Sequence, residues 1–180
     1  GGAAWQQVLD LGNSIQNPSP PPVGNIGHGF IILTTSNNQG TPTGQISINS
    51  WGDPLDTDFT SSPSPLSVGV EHQLVYTHDF DAKITRLFID GVKVGESQAD
   101  VDPSTASYSN FWIGRSQFAQ DPFFHGSIDE LRTYDNALTP EQVAADYAAG
   151  TDAPEPSSLG LAAITFAGMC WRRRSGGRRE

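Results

Sequence analysis

The chain has 180 residues, room for one domain of ordinary size, and its 36% hydrophobic share with 19 Gly and 13 Pro suits many short strands better than long helices. Its charge of −10 is uneven: residues 1–153 hold 18 acidic and 5 basic side chains, a body near −13, and five arginines crowd the last nine positions. An acidic body argues against a phosphate-binding face and a nucleic-acid partner, and Cys170, the single cysteine, excludes an internal disulfide or a cysteine-based zinc site.

In chain order, the predicted elements are short. "WQQVLDLG" (5–12), "GFIILTT" (29–35) and "GQISINSW" (44–51) read as strands, rich in β-branched and aromatic residues. "QNPSPPPVGN" (16–25) and "SSPSPL" (61–66) break them, because proline lacks a donor and fixes φ. Then come "HQLVYTH" (72–78), "ITRLFID" (84–90), "VKVG" (92–95), "FWIGRS" (111–116) and "SIDELRTY" (127–134). Asp90-Gly91 joins two of these runs, and an Asp-Gly step there predicts a hairpin with a type I′ turn. One helix is predicted in "LTPEQVAADYAAG" (138–150). Thr139 is its N-cap, Pro140 its first residue, and Gln142 completes a capping box. Leu138 and Val143 are placed for a hydrophobic staple, and Gly150 for a left-handed end. Many short strands with one late helix predict an all-β antiparallel sandwich or jelly roll.

Three stretches carry a family resemblance. "EHQLVYTHDFDAKITRLFIDGVKVGES" has a His-containing strand followed by a strand that ends in a Phe-x-Asp-Gly hairpin. "FWIGRS" supplies an Ile-Gly strand, and "FHGSIDELRTYDNALTPEQVAADY" a closing strand and helix. Together they resemble the laminin G-like, concanavalin A-like jelly-roll domains of secreted bacterial proteins. The resemblance implies one domain over 1–150, and it implies that the first strands of that domain are lacking. Glycoside hydrolases also use this fold. They need two carboxyl groups about 5–5.5 or 6.5–9.5 Å apart. Their Glu-x-Asp-x-Glu type of strand does not occur here, and the adjacent Asp129 and Glu130 would point to opposite faces of a strand.

Calcium is the candidate structural cofactor. "GDPLDTDF" (52–59) clusters Asp53, Asp56 and Asp58 in what reads as a loop, and clustered carboxylates suit a hard cation. Asp129 is a further candidate, since the closing-strand Asp of related jelly rolls often helps bind Ca2+. Trp51, Phe123 and Phe124 are candidate sugar-stacking rings on loops, where binding commonly sits. Trp112 reads as core. His28, His72, His78 and His125 show no ligand spacing, and His72 matches a structural histidine of the family.

The last stretch reads as an address. Residues 151–158 form a linker with Pro154, Glu155 and Pro156, residues 159–171 are apolar, and residues 172–180 are basic, with Arg172, Arg173 and Arg174 leading. Thirteen apolar residues span roughly 20 Å as a helix, short of the about 30 Å of a bilayer core. Arginines after such a run tend to stay cytoplasmic. The layout resembles the PEP-CTERM sorting signal of Gram-negative bacteria. That implies an exosortase-type transpeptidase as partner, transient membrane insertion of the tail, and a secreted or cell-surface destination. The expected function is non-catalytic binding to a glycan or extracellular matrix. The alternatives are a fragment of a glycoside hydrolase or lyase with its catalytic strand upstream, and a structural surface protein without a ligand.

Overall fold

The computed structural model describes residues 3–12, 30–47, 57–105, 110–118 and 121–151. The chain divides into two compact units, Gly1–Ala148 and Ala149–Glu180. Among the described residues, eight strands lie in the first: β1 (Gln7–Gly12), β2 (Phe30–Thr34), β3 (Thr43–Ser47), β4 (Thr57–Ser61), β5 (Leu74–Asp79), β6 (Ile84–Ile89), β7 (Val92–Gln98) and β8 (Asn110–Ile113). Helix α1 spans Pro140–Ala149. One sheet has the order β4-β3-β2-β1-β8 and the other β5-β6-β7, and every pairing is antiparallel. This is the predicted jelly-roll sandwich.

The sheets meet where β3 and β4 face β6 and β7. Ile46 and Leu87 are fully buried in that layer. Thr60 and Thr85 satisfy each other across it at 2.7 Å, as buried hydroxyls must. Two glycines set the spacing. A Cβ on Gly44 would come within 2.0 Å of the Tyr76 ring, and one on Gly95 would come within 2.7 Å of the Ser61 carbonyl oxygen.

On the far side of the small sheet, α1 closes a second apolar layer. Phe88 points away from Leu87 by strand alternation and is fully buried against Leu138 and Val143, with Val75 and Tyr134 beside them. The helix begins as its sequence dictates. The Thr139 N–H donates to Gln142 Oε1 at 2.8 Å, the Gln142 N–H donates to Thr139 Oγ1 at 3.3 Å, and Gly150 ends it at φ 75°. The β6–β7 turn has φ 52° at Asp90 and 76° at Gly91, the two positive values a type I′ turn requires.

Two expectations change. Residues 127–134 form no strand. Alternation specifies a face, not a partner, and a run becomes a strand only when an edge lies in register beside it. Conversely, residues 57–61 form β4, so Asp58 sits on a strand and not in an acidic loop.

Candidate functional site

A buried polar arrangement lies on the outer face of the larger sheet, where β1 meets the loop after β8. In a regular strand Gln7 and Asp10, three apart, would face opposite ways. A bulge between Gln7 and Leu9 changes that. Gln7 pairs with Thr34 and Asp10 with Ile32, two residues apart on β2, so both side chains share one face. Both are fully buried.

Residues 114–118 and 121–125 fold over that face. The Gly114 N–H donates to the Val8 carbonyl at 3.0 Å, the Phe124 N–H to the Gly114 carbonyl at 2.9 Å, and the His125 N–H to Gln6 Oε1 at 3.3 Å. Gly114 takes φ 71°, which lets the chain leave β8 sharply. The fold lays Ser116, Gln117 and Asp121 onto Asp10. The Gln117 N–H donates to Asp10 Oδ2 and its Nε2 to Oδ1, both at 2.8 Å. Ser116 Oγ donates to Asp121 Oδ2 at 2.7 Å and accepts from the Phe118 N–H at 3.0 Å. Burial pushes the Asp10 carboxyl above the ordinary range, against hydrogen bonds from Gln117, and the nearby Asp121 charge adds to the rise. Burial also raises Asp121, against Ser116 and Gln7. The Gln7 amide is near enough to bear on Asp121, yet neither of its polar atoms makes a hydrogen bond of ordinary length.

The residues expected to act from sequence are scattered. Phe123 is 73% exposed, whereas Phe124 is partly buried with its ring over Gly126. Asp129 is exposed. Trp112 is partly buried, with the Arg115 guanidinium 4.2 Å above its ring. Its strand neighbours Phe111 and Ile113 are about half exposed. Trp51, Asp53, Asp56, Pro154, Glu155, Pro156, Arg172, Arg173 and Arg174 lie outside the described residues. Among the described residues, no three His, Cys, Asp or Glu side chains gather as for a metal ion, and no helix is long and apolar enough to cross a membrane.

Asp58 belongs to a second polar cluster, between the sheets. Its Oδ2 accepts the Val101 N–H at 2.8 Å and lies 3.8 Å from His78 Nε2, a buried atom without a hydrogen bond. The His78 ring stacks on Phe80. Burial lowers the His78 pKa, outweighing the opposing pull of Asp58, Asp79 and Asp102. The unfolded chain therefore binds the proton more readily. The contribution of His78 to stability is full above pH about 6.5 and is lost as pH falls below it, toward the lowered folded value. Thermal midpoints measured from pH 7.5 to 5 should fall, and His78→Phe should flatten that part of the profile. An unchanged slope in the variant would assign it to other groups.

Comparison with known proteins agrees with this architecture. A family model described as the concanavalin A-like lectin/glucanases superfamily matches residues 3–144, and one described as the PEP-CTERM protein-sorting motif matches residues 152–174. Among solved structures, the chain is similar to residues 221–444 of an S-layer domain-containing protein from Clostridium thermocellum. The identity is 22% and the TM-score 0.37, over 78% of this chain and 61% of that one. The chain thus spans less than two thirds of that neighbour. A comparison with curated proteins gives no match. With most of its length matched and its two sheets in the expected arrangement, the chain belongs to the concanavalin A-like lectin/glucanase superfamily and carries a PEP-CTERM sorting motif at its C-terminal end.

Proposed function

We propose that this protein is a non-catalytic adhesion module of a Gram-negative cell surface, which binds glycan or extracellular matrix. The observation that carries the reading is the joining of the two matches on one chain, a lectin-type fold and, directly after it, a sorting signal. The signal implies export and handling by an exosortase-type system, so the chain is a surface or secreted module. Pro154, Glu155 and Pro156 would be read by that enzyme while residues 159–171 insert transiently in the inner membrane and Arg172–Arg174 stay on the cytoplasmic side.

The loop ring Phe123 supports a contact role, because an exposed flat ring can stack on a sugar face. The burial of Asp10 supports a non-catalytic one. A general acid or nucleophile must reach its substrate, whereas both Asp10 oxygens are held by Gln117 inside the domain.

A glycan array probed with the full chain and with Phe123→Ala tests the reading. Binding that drops at least tenfold in the variant is expected. An array without hits, on protein that unfolds cooperatively, would sink the carbohydrate assignment and favour a purely structural surface protein.

A further inference from the structure

We infer that the outer edge of β8 pairs with β8 of a second copy of this chain, antiparallel and about a twofold axis, so that the two larger sheets become one. The inference does not depend on the glycan reading.

The side chains along this edge are the first ground. Direct cross-strand neighbours share a face, so the register can be followed across the larger sheet. One row runs from Thr60 through Gly44, Leu33 and Leu9 to Ile113, and the next from Ile46 through Ile31 and Leu11 to Phe111. Thr60 meets Thr85 of the small sheet, so both rows lie on the inner face. Burial fades along each. Thr60 is 1% and Ile46 0% exposed, Leu9, Leu11 and Ile31 are partly buried, and Phe111 and Ile113 are 49% and 50% exposed. The small sheet packs under β3 and β4, and its cover thins toward β8.

The backbone is the second ground, and an independent one. β8 is the last strand of its sheet, and among the described residues it pairs with β1 alone. The Gly114 N–H donates to the Val8 carbonyl at 3.0 Å. Bonded and unbonded residues alternate along an antiparallel ladder, so Trp112 bonds to β1 while Phe111 and Ile113 turn their N–H and C=O groups outward. A twofold axis at Trp112 sets Phe111 opposite Ile113 of the second copy, and Ile113 opposite its Phe111. Each pair exchanges two hydrogen bonds, which satisfies every outward group of both residues. It also sets an aromatic ring against a β-branched side chain, a favourable cross-strand pair.

Charge selects the occupant. The chain carries −10, so two copies repel over most of their surface. Residues 110–118 include Arg115 and no acid. Natural sheet edges are commonly guarded by charge or proline. Here β4 carries Asp58, β5 carries Asp79, and β7 carries Lys93 and Glu96, whereas β8 carries neither a charge nor a proline. After β8 the chain turns at Gly114 toward Asp10 on β1, away from the edge. A twofold contact of this kind is closed at two copies and builds no filament.

Sedimentation equilibrium of the full chain over a concentration series is the test. The ladder is short, so a weak dimer is expected, with a dissociation constant below about 1 mM. Phe111→Lys and Ile113→Glu, each at a half-exposed position, should leave the thermal midpoint nearly unchanged and weaken self-association by about tenfold or more. An equal mixture of the two variants should restore the dimer, because the inferred register places their opposite charges face to face. A chain that stays monomeric throughout the series overturns the inference. So does a dimer of full strength in both variants, which would place the contact elsewhere, and so does a mixture that associates no better than either variant alone.

Discussion

Replacing Phe88 by alanine should destabilise the domain by about 3–5 kcal/mol, the ordinary cost of emptying a fully buried aromatic site. Phe88 holds α1 to the small sheet, against Leu138 and Val143. In its ten residues only Val143 is buried, and its other anchors are lighter: the Tyr134 hydroxyl donating to Asp146 at 3.1 Å and the half-exposed Tyr147 over Gly91. Ten residues are too few for a helix to be stable in water without tertiary support. Phe88→Ala should therefore lower the thermal midpoint by on the order of 10 °C and release α1 as well. Amide hydrogen exchange would show this as lost protection over 140–149. Phe88→Leu, which keeps most of the volume, should cost far less. If α1 keeps its protection in Phe88→Ala, the helix is anchored elsewhere.

Gly44→Ala should cost about 1–3 kcal/mol, at the upper end of that range, by overpacking the layer between the sheets. The added methyl would fall on the near part of the Tyr76 ring, around Cγ and Cδ2, which cannot swing clear without moving β5. The clash is specific to one pair, so it should be non-additive. In Tyr76→Ala, which vacates the space, Gly44→Ala should be close to neutral, and a double-mutant cycle by chemical denaturation would read the coupling. An additive result would mean that Gly44 is needed for its backbone and not for its missing side chain.

Both sites show what a sequence reader can and cannot see. The Asp90-Gly91 turn and the Thr139–Gln142 capping box were legible because their causes are local. Each depends on residues within about four positions of one another. Strand β4 was not legible, because its residues read as the end of an acidic loop and it becomes a strand only by pairing with β3. Residues 127–134 erred the other way, having the alternation without the ladder. The Asp10 cluster was hidden for two reasons. Its members stand far apart in sequence, and the bulge that turns Gln7 to the Asp10 face leaves no mark in composition. One signal was present: Asp10 is a lone acid between Leu9 and Leu11, and its burial required a partner from elsewhere.

That separation also bears on how the domain is made. Asp10 and Gln117 are 107 residues apart, and β8 completes its sheet by pairing with β1. The β5–β6–β7 hairpins can form early, since each closes over a few residues. The larger sheet must close a loop of about a hundred, and the entropy of that closure is met before any contact repays it. Folding of this domain should be slow for its size, with the small sheet and its hairpins as the early structure and the β1–β8 ladder as the late one. Until β8 arrives, one edge of β1 stays unpaired, so an emerging chain would have to keep that edge from other strands until residue 113 is free to pair.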